Sequence, residues 1–250
     1  GELTQIDGWD AQCKSLLGNR YMLDFFDAYS GDIDLLFAKK KSDFLQLVDR
    51  YYLEMLRDAP DAYHQGGTLY SDNEPVLVSR DMRAVASKHK RLPKTSIEYR
   101  PTTNAGAETP FRLVPNEMRK LMVRTGMPQD LFEFTAIEAA RLLRWCRDRD
   151  GKTPGELRTG KRADFREFGD STFGCKVLAR VPVAWRRTKL TARNVSGVNL
   201  GKARNQPGYH LWCPEYGIMT SADCTFYQHV FPFKDGSLKF SRAGGSGISA

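Results

Sequence analysis

The chain has 250 residues, 41% of them hydrophobic and 27% charged, an ordinary globular composition that excludes fibrous and disordered classes. A chain of this size suits one large domain or a larger domain with a small companion. Its formal net charge is +8, its apolar runs fall short of the roughly 18 residues a membrane helix needs, and the opening GELTQIDGWD lacks the basic-then-apolar order of a secretion signal, so the expectation is a soluble protein with no membrane partner.

The charge is unevenly placed. From Arg141 to Arg204 there are seventeen Lys/Arg against six Asp/Glu, so the basic excess sits in this stretch and the remainder is slightly acidic. A one-sided positive field attracts polyanions and displaces counterions from a phosphate backbone, which makes nucleic acid the leading partner class. The five cysteines form an odd set without a CxxC pair, arguing for a reducing compartment and against a disulfide framework. His210 with Cys213, and Cys224 with His229, have roughly the spacing of two zinc-ligand pairs. Both segments also alternate like strands, and half-buried barrel positions are the simpler reading.

In chain order, residues 2–9 alternate like a strand and carry Asp7. Residues 19–40 read as a hairpin of two apolar strands around Tyr29-Ser30-Gly31-Asp32. Apolar residues at helical spacing from Phe44 to Leu56 follow, with Ser42 as a plausible N-cap. The stretch GTLYSDN reads as a strand running out of the Gly66-Gly67 pair and ending at Asp72; Ser-Asp-Asn is also good turn chemistry. Helix-like 79–90, a short strand over 95–100, and helical segments around 111–123 and 128–147 complete a mixed α/β sheet domain. Thr109-Pro110 reads as the N-cap and first residue of a helix, and Pro115 as a kink within it.

After Asp150 the texture becomes glycine- and proline-punctuated and basic. Short alternating strands around 175–181, 208–213, 217–219 and 222–227 suggest a small β-barrel. The expected organisation is a core over 1–150, a basic linker and barrel over 151–235, and a flexible tail over 236–250 ending AGGSGISA.

Three acids stand out: Asp7 on the first strand, Asp72 at the end of the fourth, and Glu108, separated from Asp72 by 35 residues. Three converging carboxylates are what two Mg²⁺ ions about 4 Å apart would require, in a site that performs phosphoryl transfer without a protein nucleophile. With 30 acidic residues in the chain, many such triples exist, so spacing alone does not select this one.

Several segments, in order, resemble the integrase of copia-type LTR retrotransposons. LTQIDGW sits where that family has its first catalytic Asp, GNRYMLDFFDAYS resembles its Gly-Asn-Arg-Tyr strand and Asp-Asp-Tyr-Ser turn, and LYSDN its Ser-Asp-Asn motif. EYRPTTNAGAE resembles its proline, Asn-Gly and Ala-Glu loop. Downstream, GKTPGELRTGKRADFREFGDSTFGC and GYHLWCPEYGIMTSADCTF resemble its Lys-Thr-Pro to Phe-Gly-Cys segment and its barrel hairpin. The chain departs from the pattern at Ala28, where the family has a second Asp, at Glu74 and Pro75, where glycines usually stand, and at Thr109, where a basic residue follows the glutamate.

The resemblance implies a ribonuclease-H-like α/β core with a mixed five-stranded sheet flanked by helices, followed by a small all-β open barrel. It implies Asp7, Asp72 and Glu108 as catalytic ligands of two Mg²⁺ (or Mn²⁺) ions, and the Thr102–Gly106 loop as the segment presenting DNA to them. Tyr99, Arg100, Asn104, Arg186, Arg187 and Lys189 are the implied nucleic-acid contacts, to phosphates rather than bases. It further implies element and target DNA as partners, homo-oligomerisation, and a nuclear site of action after a cytoplasmic particle stage. Two other readings stay open: an inactive, recruited DNA-binding or scaffold protein on the same fold, and a nuclease of the ribonuclease-H-like superfamily.

Overall fold

The computed structural model describes residues 3–58, 60–95, 105–146, 151–162, 171–186, 188, 190, 192–204 and 206–242, with the side chains of 62 and 105–110 excepted. The chain forms two compact units, Gly1–Glu117 with Ala139–Ala163, and Met118–Glu138 with Asp164–Ala250.

The first unit is built on a five-stranded mixed sheet. Strands β1 (Leu3–Asp10), β2 (Tyr21–Asp27) and β3 (Ile33–Ala38) form an antiparallel meander; β4 (Gly67–Ser71) and β5 (Arg91–Thr95) lie parallel to β1, giving the order β3-β2-β1-β4-β5. Helices α1 (Phe44–Asp58), α2 (Pro60–His64) and α3 (Arg80–Lys88) make the crossovers. One face of the sheet (Ile6, Leu23, Phe25, Leu69) packs with Phe44, Val48, Tyr51, Tyr52 and Met55 of α1 and with Met82 and Ala86 of α3. The ring of Phe25 stacks on Tyr51 at 4.1 Å.

Local signals place these elements with some shifts. Ser79 caps α3, its hydroxyl accepting from Met82 N–H at 3.1 Å. Ser42 does not cap α1: it lies inside a 3₁₀ turn, Lys41–Asp43, and α1 begins at Phe44. The fifth strand is Arg91–Thr95 rather than 95–100; it holds Pro93 because it is an edge strand, where a missing N–H is tolerated, and 96–100 lie outside the described residues.

Helix α4 runs from Ala105 to Thr125 and continues through both prolines, so Pro110 is not its first residue. A proline inside a helix costs roughly 3 kcal/mol. Here Val114, Met118 and Leu121, spaced along one stripe, are buried, and that packing offsets the lost backbone bonds. Helix α5 (Phe132–Cys146) follows.

Residues 139–163 belong to the first unit, tied to the sheet by two arginines. Arg144 of α5 donates to both oxygens of Asp32 at 2.7 and 2.6 Å and to Asp34 at 2.9 Å. Arg158 of the short helix α6 (Pro154–Thr159) bridges the same two acids at 2.9 and 2.6 Å. Asp32 is wholly buried, and with the half-buried Asp34, Arg144 and Arg158 it forms a neutral, largely enclosed set.

The second unit carries an antiparallel sheet in the order β10-β6-β7-β8-β9, from β6 (Lys176–Arg180), β7 (Asn194–Lys202), β8 (Tyr209–Cys213), β9 (Gly217–Ser221) and β10 (Cys224–Tyr227). Strand β7 has no counterpart in the sequence reading. Its glycines blur the alternation, and the register with β8 shifts between Asn199 and Lys202, around Gly201 at φ +99. Val177, Ala179, Val195, Leu211, Cys213 and Met219 form its core. Trp212 packs on Phe233 of helix α7 (Pro232–Asp235) and on Phe240, so the region expected to be a tail from 236 is packed as far as Phe240.

Removing one partner of a buried ion set leaves the others uncompensated, at about 3–5 kcal/mol. Arg158→Ala is therefore expected to lower unfolding free energy by that order in a urea titration, and Arg57→Ala, an exposed pair, by about 0–1 kcal/mol.

Candidate active site

The parallel pairing of β1 with β4 runs from Leu3 opposite Thr68 to Ile6 opposite Ser71, so the next step along both chains sets Asp7 beside Asp72. On its other side Asp7 is the register partner of Asp24 on β2. Side chains alternate across a strand, and partners in register share a face, so three adjacent strands bring Asp72, Asp7 and Asp24 into one row.

The residues differ in environment. Asp7 is half-buried and Asp72 exposed. Asp24 is 3% exposed, and its Oδ1 has no hydrogen-bond partner among the described residues. Asp72 sits in an Asx turn, accepting from Glu74 N–H at 3.1 Å, so the turn reading and the strand-end reading of Ser-Asp-Asn both hold. Glu74 lies over Gly8: a Cβ at Gly8 would come within 2.8 Å of both Glu74 Oε2 and the Phe44 ring. The other oxygen of Glu74 is ion-paired with Lys41.

Burial, then the charge of Asp72 and more weakly that of Glu74, push the Asp7 carboxyl up to about 6 against an opposing Gly8 backbone hydrogen bond. Enclosure, with the Asp7 charge, holds Asp24 well above the usual carboxylate range. Oxygen donors massed against their own repulsion suit a hard divalent cation, whose charge would relieve it. Asp7 and Asp72 thus fit as two donors.

Glu108 is the fourth residue of α4, so it rides on the helix rather than preceding it; its side chain is outside the description. Among the described residues no three His, Cys, Asp or Glu side chains converge closely enough to hold a metal. The His/Cys pairs of the second unit accordingly form no zinc set: His210 hydrogen-bonds Thr220 Oγ1 at 2.9 Å, Cys213 lies in the barrel core, and Cys224 donates to Ser221 O.

Of the nucleic-acid contacts expected from the sequence, Tyr99, Arg100, Asn104, Arg187 and Lys189 lie outside the described residues. Arg186 turns its Nε and Nη2 inward to the Val181 carbonyl at 3.1 and 2.8 Å, which leaves less of the guanidinium to face a phosphate. Sequence reasoning missed Asp24, Glu74 and Lys41. A signal existed for Asp24, since an acid inside the apolar run YMLDFFD has no place on a buried face without a reason. Nothing in the linear order joins Lys41 to Glu74.

A model of the retroviral polymerase SH3-like domain matches residues 175–239, which contain all five strands of the second unit. The retrovirus-related Pol polyprotein from transposon TNT 1-94 of Nicotiana tabacum is 23% identical over 222 residues, 86% of this chain. The chain spans 16% of that polyprotein's length. Among solved structures, the catalytic core domain of BIV integrase is 18% identical, covering 63% of this chain and 93% of that one at a TM-score of 0.46. A simian T-cell lymphotropic virus intasome in complex with the PP2A regulatory subunit B56 gamma is 14% identical, covering 90% and 78% at 0.49. The fold of this chain is a mixed five-stranded sheet with helices, together with a separate antiparallel β domain that the SH3-like model covers. Over 175–239 the chain is thus similar to the retroviral polymerase SH3-like domain, and over most of its length to a stretch of a retrotransposon Pol polyprotein.

Folded, Asp7 keeps its proton to about pH 6, whereas unfolded it releases it near 3.8. The folded state binds more protons between those values, so this residue lowers stability as pH rises from about 4 to 6 and continues to depress it above. Without divalent metal, Asp7→Asn is therefore expected to melt a few degrees above wild type at neutral pH, at about 2–4 °C per kcal/mol for a chain of this size. The two should converge at acid pH; thermal unfolding followed by circular dichroism measures both.

Proposed function

We propose that the chain is the integrase segment of a copia-type retrotransposon polyprotein, a Mg²⁺-dependent polynucleotidyl transferase that trims the 3′ ends of element DNA and joins them to target DNA. The observation that carries this reading is the β1–β4 register, which sets Asp7 and Asp72, 65 positions apart in sequence, side by side on one sheet.

Asp7, Asp72 and Glu108 would hold two Mg²⁺ (or Mn²⁺) ions. Such ions lower the pKa of an attacking water or 3′-hydroxyl and stabilise the leaving 3′-oxygen. The chain's own residues orient and balance: the Asx turn fixes Asp72 and Lys41 offsets the charge of Glu74. Basic residues of the tract from Arg141 to Arg204, other than Arg144, Arg158 and Arg186, which are engaged within the fold, would supply phosphate contacts that position DNA without reading its sequence. Element and target DNA are the partners of this reading, with a homo-oligomer as the working assembly and the nucleus, after a cytoplasmic particle stage, as its place. No helix among the described residues is long and apolar enough to cross a membrane, and the reading needs none.

A second reading, a DNA-binding relic with an idle site, is favoured by one observation: among the described residues no three His, Cys, Asp or Glu side chains converge closely enough to hold a metal. Strand transfer of a labelled duplex end into plasmid DNA, with Mg²⁺ or Mn²⁺, separates the two. Asp72→Asn is expected to cut product by at least about 100-fold, the upper end of the loss seen on removing even an outer partner of a metal. Equal product from wild type and variant sinks the enzyme reading, and duplex binding with no product from either selects the relic.

A further inference from the structure

Three consecutive lysines, Lys39 to Lys41, follow β3, and such a run on a turn is ordinarily a solvated face. Here the fold gathers other cations against it. The Arg20 backbone N–H donates to Ala38 O at 2.9 Å, and Lys39 Cε lies 3.7 Å from where a Cβ on Gly18 would project, so the β1–β2 loop and the β3–α1 turn lie together. The Tyr21 ring, half-buried, has Arg20 Cζ at 5.4 Å from its centroid and Lys41 Nζ at 5.9 Å. Lys14, Arg20, Lys39, Lys40 and Lys41 are all exposed.

The ridge stands at the C-terminal end of β1 and β4, the end where Asp72 emerges, and Lys41 reaches Glu74 beside Gly8. Its charges are unequally compensated. Arg20 is held by both oxygens of Asp10 and Lys41 by Glu74, whereas Lys39 and Lys40 form no ion pair among the described residues. Two exposed, uncompensated ammonium groups a few residues from a row of carboxylates suit a polyanion lying along the sheet end, with phosphates on the lysines. A small anion would gain little from a ridge this open, while a strand with regularly spaced phosphates engages several cations at once.

We propose that Lys39 and Lys40, with Lys14, Arg20 and Lys41 around them, form a phosphate-backbone surface on the sheet unit itself, which lays a nucleic-acid strand along the sheet end at Asp7 and Asp72. The inference rests on the nucleic-acid substrate of the reading above. It adds a contact surface apart from the basic tract, and lysine ammoniums make it a positioning surface without sequence readout.

The test is binding of the full chain to a fluorescein-labelled, random-sequence DNA duplex, read by anisotropy in EDTA so that metal plays no part. Salt is varied over roughly 50–200 mM, where such binding changes steeply. The variant Lys39→Glu/Lys40→Glu is compared with a charge-matched control, Arg50→Glu/Arg57→Glu, on the exposed face of α1. The ridge variant is expected to flatten the slope of log K against log salt by about 1.8, at about 0.9 for each phosphate no longer neutralised, while the control keeps the wild-type slope. Lys39→Gln/Lys40→Gln, with the same direction of change, covers a charge reversal that misfolds.

Equal weakening in ridge variant and control, an unchanged slope, or no salt-dependent duplex binding by wild type overturns the proposal. Because no turnover is read, the outcome is separable from that of strand transfer. An idle site with a flattened slope sinks the chemistry and keeps the ridge; strand transfer with an unchanged slope does the reverse.

Discussion

Pairing β1 with β4 in parallel, Ile6 against Ser71, is the constraint on which the rest of the first unit depends. It brings Asp7 and Asp72 together against their mutual repulsion, so the pairing has to be driven from elsewhere. The driving surface is the opposite face of the same strands. Ile6 and Leu69 sit with Leu23 and Phe25 in a cluster sealed by the aromatic and aliphatic residues of α1 and α3. Each large apolar side chain fully buried there contributes about 1.5–3 kcal/mol, and the two-residue period of the strands ensures that fixing Ile6 inward presents Asp7 on the other face. A one-residue slip would exchange the two, which is why the hydrophobic pattern also specifies the site.

The same unit holds buried carboxylates in two opposite ways. Asp32 and Asp34 are matched by Arg144 and Arg158 with short hydrogen bonds, so that set is neutral and ties α5 and α6 to the edge strand β3. Asp24, equally enclosed, has no cation beside it among the described residues and one oxygen without a partner. Where stability is the requirement, the sequence supplies guanidiniums from more than a hundred residues away. Beside Asp7 it supplies the charges of Asp72 and Glu74, with Asp24 enclosed against it. Carboxyls shifted upward and left without cations on a sheet mark a candidate functional site.

Much of this arrangement is legible in the sequence. Alternation gives β1, the apolar runs around a turn give β2 and β3, the glycine pair gives the start of β4, and helical spacing gives α1, while the acid spacing gains meaning only through the resemblance. What failed did so for identifiable reasons. Pro93 hides β5, because a proline argues against a strand unless the strand is known to be at an edge. Pro110 suggests a helix start because propensity cannot see the buried stripe of Val114, Met118 and Leu121 that carries α4 through it. Glycines conceal β7, since a bulged strand loses its period. Lys41 with Glu74 joins residues 33 apart in sequence, and only the tertiary fold reveals such a pair.

Asp24 bears on how the candidate site would work. Enclosed beside Asp7, it is driven toward its neutral, protonated form by burial and by the Asp7 charge. Asp7 itself is raised by burial, by Asp72 and more weakly by Glu74, so a cation beside it would relieve repulsion at a point where water screens poorly. The energetic difference between the empty and loaded states is thereby larger than two exposed carboxylates would give. As protein alone, Asp7 and Asp72 are held side by side against their own repulsion by the packing on the opposite face of the sheet, and under the proposed function a divalent cation would relieve that repulsion.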